Sequence, residues 1–311
     1  MSADAGAQSR TVTSDPQLSG SARALLRDCS LEMTARDVAS LADAVPQLPP
    51  RTRMHLTFLE NETLPMRLEA ARAVREAGLV PVPHIAARRL RSEKDLRDYL
   101  EGLAELGASE KVFLVGGDPA RPEGPYEDAL SLIRSGHLQE HGVHAAGITG
   151  YPEGHPQITN DALEQSQRHK LAALAEAGLD TWITSQFSFD ADAVAAWIGG
   201  LRRQGVTAPV RIGAPGPAGI KRLLGFARRL GISANTSLIK KYGLSVTQLV
   251  GRSTPQVFVE RTASALGSVE HGTTGIHLYT FGGLEGSAAW LARSAARPTA
   301  GQEDDREDGD R

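Results

Sequence analysis

The chain has 311 residues, 41% of them hydrophobic, and a formal net charge of −3 at pH 7. This near balance of charge argues against nucleic acid or an anionic membrane surface as a partner. The single cysteine, Cys29, excludes an intramolecular disulfide and a zinc site built from cysteines. Because we find no apolar run of about 18 residues, we expect a soluble, cytoplasmic protein.

Both ends of the chain have the composition of disordered segments. Residues 1–24 are rich in Ser, Ala, Gly and Asp and show no apolar period, which predicts a disordered N-terminal tail. Residues 297–311 are dominated by acidic side chains and predict a second disordered tail. The folded domain is therefore predicted to span residues 25–296.

Short apolar runs alternate with longer segments of helical period between these tails. The predicted strands are 29–33, 54–58, 80–86, 111–115, 143–148, 181–186, 209–212 and 275–280. The predicted helices that follow them are 35–45, 64–77, 93–106, 125–134, 160–177, 191–204, 218–230 and 286–295. Strict alternation favours parallel strands with right-handed crossovers, and eight such units predict a closed (β/α)8 TIM barrel.

One connection is longer than a crossover helix requires. It covers residues 233–266, between the predicted seventh and eighth units. We expect two or three short helices there, one beginning near residue 234 and another spanning 254–266. This segment and the exposed helices are compatible with a homo-oligomer.

Polar or aromatic side chains stand at the carboxyl ends of most predicted strands, where the chemistry of such barrels is found. They are Ser30, Glu32, Thr57, His84, Asp118, Tyr151, His155, Gln186, His277 and Tyr279. Each has a purely structural interpretation as well. Glu32 can pair with an arginine such as Arg88, Asp118 can close a turn before Pro119, and His84 can be a core histidine.

The order and spacing of these residues resemble the methylenetetrahydrofolate reductase family from about Cys29 to Leu291. The most specific pieces are the Tyr-Pro-Glu-Gly-His-Pro run at 151–156 and the Ser-Gln-Phe-Ser-Phe-Asp run at 185–190. The resemblance implies a (β/α)8 barrel that reduces 5,10-methylenetetrahydrofolate, a reduced folate, to 5-methyltetrahydrofolate. Canonical members use NAD(P)H and bound FAD.

The resemblance also implies roles for individual residues. Glu32 matches the family's acidic residue on the first strand and would donate the proton that the departing nitrogen needs. Asp118 would stabilise the developing cation and bind substrate, together with Gln186 and Tyr279. The positions that match the flavin side are Thr57, His84, Tyr151, His155 and, on the helix after strand five, Lys170.

Several departures from the family pattern predict a weaker affinity for FAD. Gly116 stands where an arginine normally precedes the Gly-Asp pair, and the helix after strand five carries Gln167, Lys170 and Leu174 instead of the usual Asp, Asn and Lys. A charge-assisted contact contributes about 1.5–3 kcal/mol, so two losses weaken binding about a hundredfold or more. Weak FAD binding and direct hydride transfer from NAD(P)H fit the sequence equally.

Other functions remain open at this stage. A folate-binding regulatory barrel would keep Asp118 and Gln186 but has no need of Glu32. A methyl-transfer or oxidative-direction enzyme of one-carbon metabolism would use the same scaffold. A sugar-phosphate barrel is suggested by the glycine pairs at 116–117 and 282–283, which is a weak signal because such pairs are common at strand ends.

Overall fold

The computed structural model describes residues 18–217 and 254–295. Its parallel strands form a closed barrel in chain order, with β8 paired back to β1. The strands are β1 (Ser30–Met33), β2 (Arg53–Leu56), β3 (Val80–Ala86), β4 (Lys111–Val115), β5 (Ala145–Gly150), β6 (Asp180–Ser185), β7 (Val210–Pro215) and β8 (Thr274–Tyr279). The predicted TIM-barrel fold is confirmed.

Helices surround this barrel. They are α1 (Gly20–Leu26), α2 (Val38–Ala44), α3 (Leu64–Glu76), α4 (Glu93–Glu105), α5 (Ala129–Arg134), α6 (His137–Glu140), α7 (Asn160–Glu176), α8 (Ala191–Arg203), α9 (Pro255–Leu266) and α10 (Leu284–Ala295). Helix α9 confirms the predicted helix at 254–266, with Thr254 as its N-cap. The predicted helix at 218–230 and the one near 234 lie outside the described residues, as do 1–17 and 296–311. None of the helices described is long and apolar enough to cross a membrane.

Helix α1 corrects the predicted end of the N-terminal tail. We expected disorder up to residue 24, but the helix begins at Gly20, and the Ser19 hydroxyl accepts a hydrogen bond from the Ala22 N–H. Ala22, Leu25 and Leu26 are buried, and α1 packs against α9 and β8. Their spacing gives one apolar helix face, which stabilises a segment whose flanking composition resembles a tail.

Helix α5 begins four residues later than the predicted helix at 125–134. The Asp128 side chain accepts a hydrogen bond from the Ser131 N–H, and the Ser131 hydroxyl in turn lies 3.3 Å from the Asp128 N–H. This reciprocal capping box fixes the start of the helix at Ala129. Residues 116–128 are therefore a long loop at the carboxyl end of β4.

Alternate residues of the strands face opposite sides of the barrel wall. On β1, Leu31 and Met33 pack in the large apolar layer beneath the helices, whereas Ser30 and Glu32 contact groups inside the barrel. A small apolar cluster fills part of the interior: Val82, Phe113, Ala145 and Trp182. Buried polar side chains, among them Glu32, His55 and His277, occupy another part of it.

Candidate active site

Glu32 is buried at the carboxyl end of β1. Its residue exposure is 6%, and burial, with a smaller contribution from Asp37, raises the pKa of its carboxyl to about 8. The backbone carbonyl of Glu32 accepts a hydrogen bond from the Thr280 hydroxyl at the end of β8, which fixes the end of β1. The ion pair with Arg88 considered from the sequence is absent from the described residues, since Arg88 donates to the carbonyls of Pro119 and Glu127. Glu32 is therefore a largely protonated acid at pH 7.

Three histidines lie close together inside the barrel. His55 Nδ1 is 3.1 Å from His84 Nε2, and the ring centroids of His55 and His277 are 4.5 Å apart. Burial lowers the pKa values of His84 and His277 to about 3 and lowers that of His55 well below its usual value. All three imidazoles are therefore neutral, and His84 is tied to His55 rather than standing alone at the mouth.

Tyr279 belongs to an aromatic cluster between the ends of β6 and β8. Its ring lies 5.5 Å from that of Phe187 and 6.3 Å from that of Phe281, centroid to centroid, and its hydroxyl donates to the Ser185 carbonyl at 3.0 Å. Burial raises the pKa of Tyr279, and Glu32 and Tyr151 add to this shift. Tyr279, Tyr151 and Glu32 therefore share one region of the barrel mouth.

Gln186 stands beside this cluster and is exposed. Its Oε1 accepts a hydrogen bond of 3.2 Å from the Phe187 N–H, and its own backbone N–H binds the Gly150 carbonyl. The same edge carries the loop after β5, in which the rings of Tyr151 and His155 meet edge to face at 5.5 Å. Gln186 thus presents an amide to solvent next to an aromatic wall.

Asp118 follows Gly117, whose φ of +91° turns the chain sharply at the end of β4. Its carboxylate accepts two hydrogen bonds from Arg89, each 2.8 Å long. The Arg89 side chain is mostly buried, and Glu60 and Glu123 lie 3.8 and 4.0 Å from its guanidinium. The predicted free carboxylate is therefore one half of a bidentate ion pair, which the sequence did not indicate.

Two of the predicted cofactor-side residues, Thr57 and Lys170, are buried. The Thr57 hydroxyl is buried and has no hydrogen-bond partner in the part of the chain described. Lys170 on α7 is 8% exposed, and its pKa is lowered by burial, partly offset by Asp128 at the N-terminus of α5. No ion pair joins Lys170 to Asp128 or to another acidic group within residues 18–217 and 254–295. The hydroxyl of Thr57 and the ammonium of Lys170 could each form a hydrogen bond with a ligand.

Glu62 ties together the loops that follow β1 and β2. Its carboxylate accepts hydrogen bonds from the Ala35 N–H at 2.8 Å and from the Leu59 N–H at 3.0 Å. The β1 loop begins after Met33, the residue that follows Glu32, and the β2 loop begins at Thr57. This carboxylate therefore fixes the relative positions of two predicted site residues, a role that the sequence analysis missed.

The predicted site residues do not form a single cluster in space. Glu32, Tyr151, Tyr279 and Gln186 lie around β1, β5, β6 and β8, while Asp118 lies with Arg89 on the β3–β4 side. Lys170 lies farther out, between α7 and α5. His55 was not among the predicted site residues, although period-two alternation along the chain places it on the same face as Thr57.

The sequence profile of the methylenetetrahydrofolate reductase family matches residues 59–291. Among curated proteins, the chain is 26% identical over 228 residues to methylenetetrahydrofolate reductase (NADH) 1 of Arabidopsis thaliana, a match that covers 63% of this chain and 35% of the relative. It is 31% identical over 140 residues to methylenetetrahydrofolate reductase 2 of Saccharomyces cerevisiae, covering 42% of this chain and 22% of the relative. The matches thus span about a third or less of these longer proteins.

Among solved structures, the fold is similar to that of a GH18 chitinase from Pseudoalteromonas aurantia, with a TM-score of 0.48 and 12% identity. That match covers 86% of this chain and 100% of the chitinase chain. No functional argument follows from a similarity at this level.

Proposed function

Because this chain belongs to the methylenetetrahydrofolate reductase family, we propose that it reduces 5,10-methylenetetrahydrofolate to 5-methyltetrahydrofolate with NAD(P)H as the source of hydride. The observation that carries the proposal is the state of Glu32. A carboxyl group whose pKa is raised to about 8 by burial holds its proton at neutral pH and is suited to general acid catalysis.

The reaction needs one proton and one hydride. The five-membered ring of the substrate opens when its departing nitrogen is protonated, and the resulting iminium carbon then accepts the hydride. In the proposed mechanism Glu32 supplies the proton and NAD(P)H the hydride, giving a methyl group and NAD(P)+. Glu32 recovers its proton from solvent after each turnover, so the reaction consumes one proton overall.

The aromatic cluster and Gln186 provide the proposed binding surface for the substrate. The pterin ring is flat and has an amide-like edge, which fits an exposed glutamine that can offer an acceptor and two donors. Rings such as Phe187 can pack against its face. Since the Tyr279 hydroxyl is bound to the Ser185 carbonyl, we assign Tyr279 to packing rather than to a hydrogen bond with the substrate.

Asp118 is proposed to stabilise the iminium cation. Its carboxylate is neutralised by Arg89 in this structure, and their fork geometry is the strong bidentate type. Its charge acts fully on the substrate only when that pair opens. We therefore place Glu32 first among the groups that account for the rate.

The buried polar groups of Thr57 and Lys170 are proposed to bind a dinucleotide. The buried ammonium of Lys170 suits a pyrophosphate, and the orphaned hydroxyl of Thr57 suits a polar edge of a ring or sugar. FAD and NAD(P)H both carry a pyrophosphate. If FAD is bound, it would supply a carrier for the hydride between NAD(P)H and the folate.

A folate-binding regulatory barrel is the alternative function. A buried acid reduces stability once it ionises, and a protein that only binds folate has no use for that cost. The burial of Glu32 therefore favours the enzyme over the binding protein.

The test is an absorbance spectrum of the purified protein, followed by anaerobic oxidation of NADH and of NADPH with and without 5,10-methylenetetrahydrofolate and added FAD. Oxidation that depends on the folate supports the proposal. A requirement for FAD would identify a flavoenzyme, and activity of a colourless protein would identify direct hydride transfer. Folate binding with no oxidation under any of these conditions would contradict the proposal and favour the regulatory function.

A further inference from the structure

Beneath Glu32, the barrel interior holds a short chain of polar contacts. Ser30 Oγ lies 2.9 Å from His277 Nδ1, and the other ring nitrogen of His277, Nε2, lies 4.0 Å from Glu32 Oε2. We propose that His277, with its tautomer fixed by Ser30, is a positioning residue that donates an N–H to the carboxylate formed when Glu32 gives up its proton. This inference rests on the proposed function, because it concerns the proton donor of that reaction.

The tautomer follows from the hydrogen-bonding requirements of Ser30. This residue is 1% exposed, and His277 Nδ1 is the partner of its hydroxyl within the described residues. A buried hydroxyl proton needs an acceptor, and an unprotonated Nδ1 provides one. A neutral imidazole that accepts at Nδ1 carries its proton on Nε2. The N–H therefore lies on the side of the ring that faces Glu32.

The distance of 4.0 Å is too long for a hydrogen bond while Glu32 is protonated. After proton transfer, an anionic carboxylate remains in a mostly buried site, where it has lost much of the stabilisation that solvent would give. The proposed contact requires the two side chains to approach until Nε2 and the carboxylate oxygen are within hydrogen-bond range. A bond to a charged acceptor is stronger than one to the neutral acid, so His277 favours the proton-transfer transition state over the resting state.

The charge change is confined to Glu32. The other titratable and charged groups around the pair are Asp37, His55, His84, Arg53, Arg211 and Tyr279. Burial lowers the pKa of His277 to about 3, and the charges of His84, Arg53 and Arg211 contribute less to this shift. His277 therefore acts as a neutral donor across the working pH range and does not itself become an acid.

Two substitutions at one position test this geometry. The amide nitrogen of His277→Gln can occupy the place of Nε2, whereas that of His277→Asn occupies the place of Nδ1. We expect the Asn variant to lose about tenfold or more in kcat and to shift its alkaline limb upward by about one pH unit, because the carboxylate loses a donor. The Gln variant should have a kcat and an alkaline limb close to those of the wild type. Neither variant should change the affinity for the folate. His144→Asn, at an exposed position before β5, is the matched control.

A second readout needs no activity. In 15N NMR spectra of the full-length protein with labelled histidine, His277 should be protonated at Nε2 and not at Nδ1, and Ser30→Ala should give a mixture of both tautomers. Wild-type kcat and pH profile in His277→Asn, or a proton on Nδ1 in the wild type, would overturn the inference. Absence of folate-dependent oxidation in the wild type would instead refute the proposed function, and the NMR spectra would still decide the tautomer.

Discussion

The side chain of Glu32 illustrates how burial tunes an acid for work near neutral pH. An ordinary glutamic acid is ionised at pH 7, whereas burial raises the pKa of Glu32 to about 8. Its position at a strand end was predictable from the sequence, since β1 is short and apolar. Its burial was not, because it depends on β8, whose Thr280 hydroxyl contacts the Glu32 carbonyl from 248 positions away along the chain.

The raised pKa predicts how turnover depends on pH. Glu32 donates its proton only in the protonated form, so kcat should fall as the pH rises above about 8, approaching tenfold per pH unit. The measurement is kcat with saturating folate and nucleotide across this range. A kcat that stays constant to about pH 10 would show that Glu32 is not the acid, because by then it would be almost wholly ionised.

The same shift predicts a change in stability. The folded state binds the Glu32 proton more tightly than the unfolded state, whose pKa is near 4.5. As the pH rises from about 4.5 to about 8, Glu32 ionises in the unfolded state while the folded state keeps the proton. The free energy of unfolding therefore falls by roughly 3–5 kcal/mol in total. Chemical denaturation should show Glu32→Gln gaining stability relative to wild type through this window. The exposed Glu164→Gln controls for loss of one negative charge, and an equal gain there would contradict the assignment.

At the scale of the element, strand and helix positions followed well from apolar period and from end signals. Strands β3 and β4 have the predicted bounds, and α4 begins at the predicted residue, Glu93, with Ser92 as its N-cap. Helix α1 was missed because its flanking composition resembles a tail, and its stability comes from packing against α9. The packing inside the barrel could not be predicted either, since it joins side chains from strands distant in sequence.

Gly147 on β5 makes that interior packing possible. A Cβ added there would lie 2.5 Å from Trp182 Cζ2 and 2.6 Å from Phe113 Cδ2, closer than real contacts allow. We therefore predict that Gly147→Ala lowers the free energy of unfolding by about 1–3 kcal/mol through overpacking.

Denaturant unfolding measures this effect, and Gly286→Ala is the matched control. An added Cβ at Gly286 meets nothing within 4 Å, and the residue lies in α10, so its replacement should raise stability by about 0.5–1 kcal/mol. Equal losses in the two variants would show that crowding around Trp182 is not the cause.

At the scale of the whole molecule, the two ends of the barrel differ in chemistry. Asp28 pairs with Arg53 and Arg211 at the amino-terminal end, where such contacts serve stability. Glu32, the aromatic cluster around Tyr279 and the Thr57 hydroxyl lie at the carboxyl ends of the strands or in the loops that follow them. The residue types at the strand ends predicted that the functional groups lie at the carboxyl-terminal end of the barrel. They did not predict the Arg89–Asp118 pair, because no pattern specifies which of several nearby charges will meet.

The matched part of the chain spans about a third or less of the length of the curated relatives. The ring of strands closes within this chain alone, and Glu32, Tyr151 and Tyr279 all come from it. The groups proposed for proton transfer and substrate binding therefore need no additional domain for their placement. The predicted homo-oligomer stays a prediction.

The most direct test of the account is the turnover of Glu32→Gln with 5,10-methylenetetrahydrofolate and NAD(P)H, measured together with the dissociation constant for the folate. Glutamine keeps the size and polarity of the side chain but has no proton to give. We predict that kcat falls by a factor on the order of 10² or more while folate affinity stays within about twofold of wild type. Unchanged turnover in this variant would contradict the assignment of Glu32 as the acid.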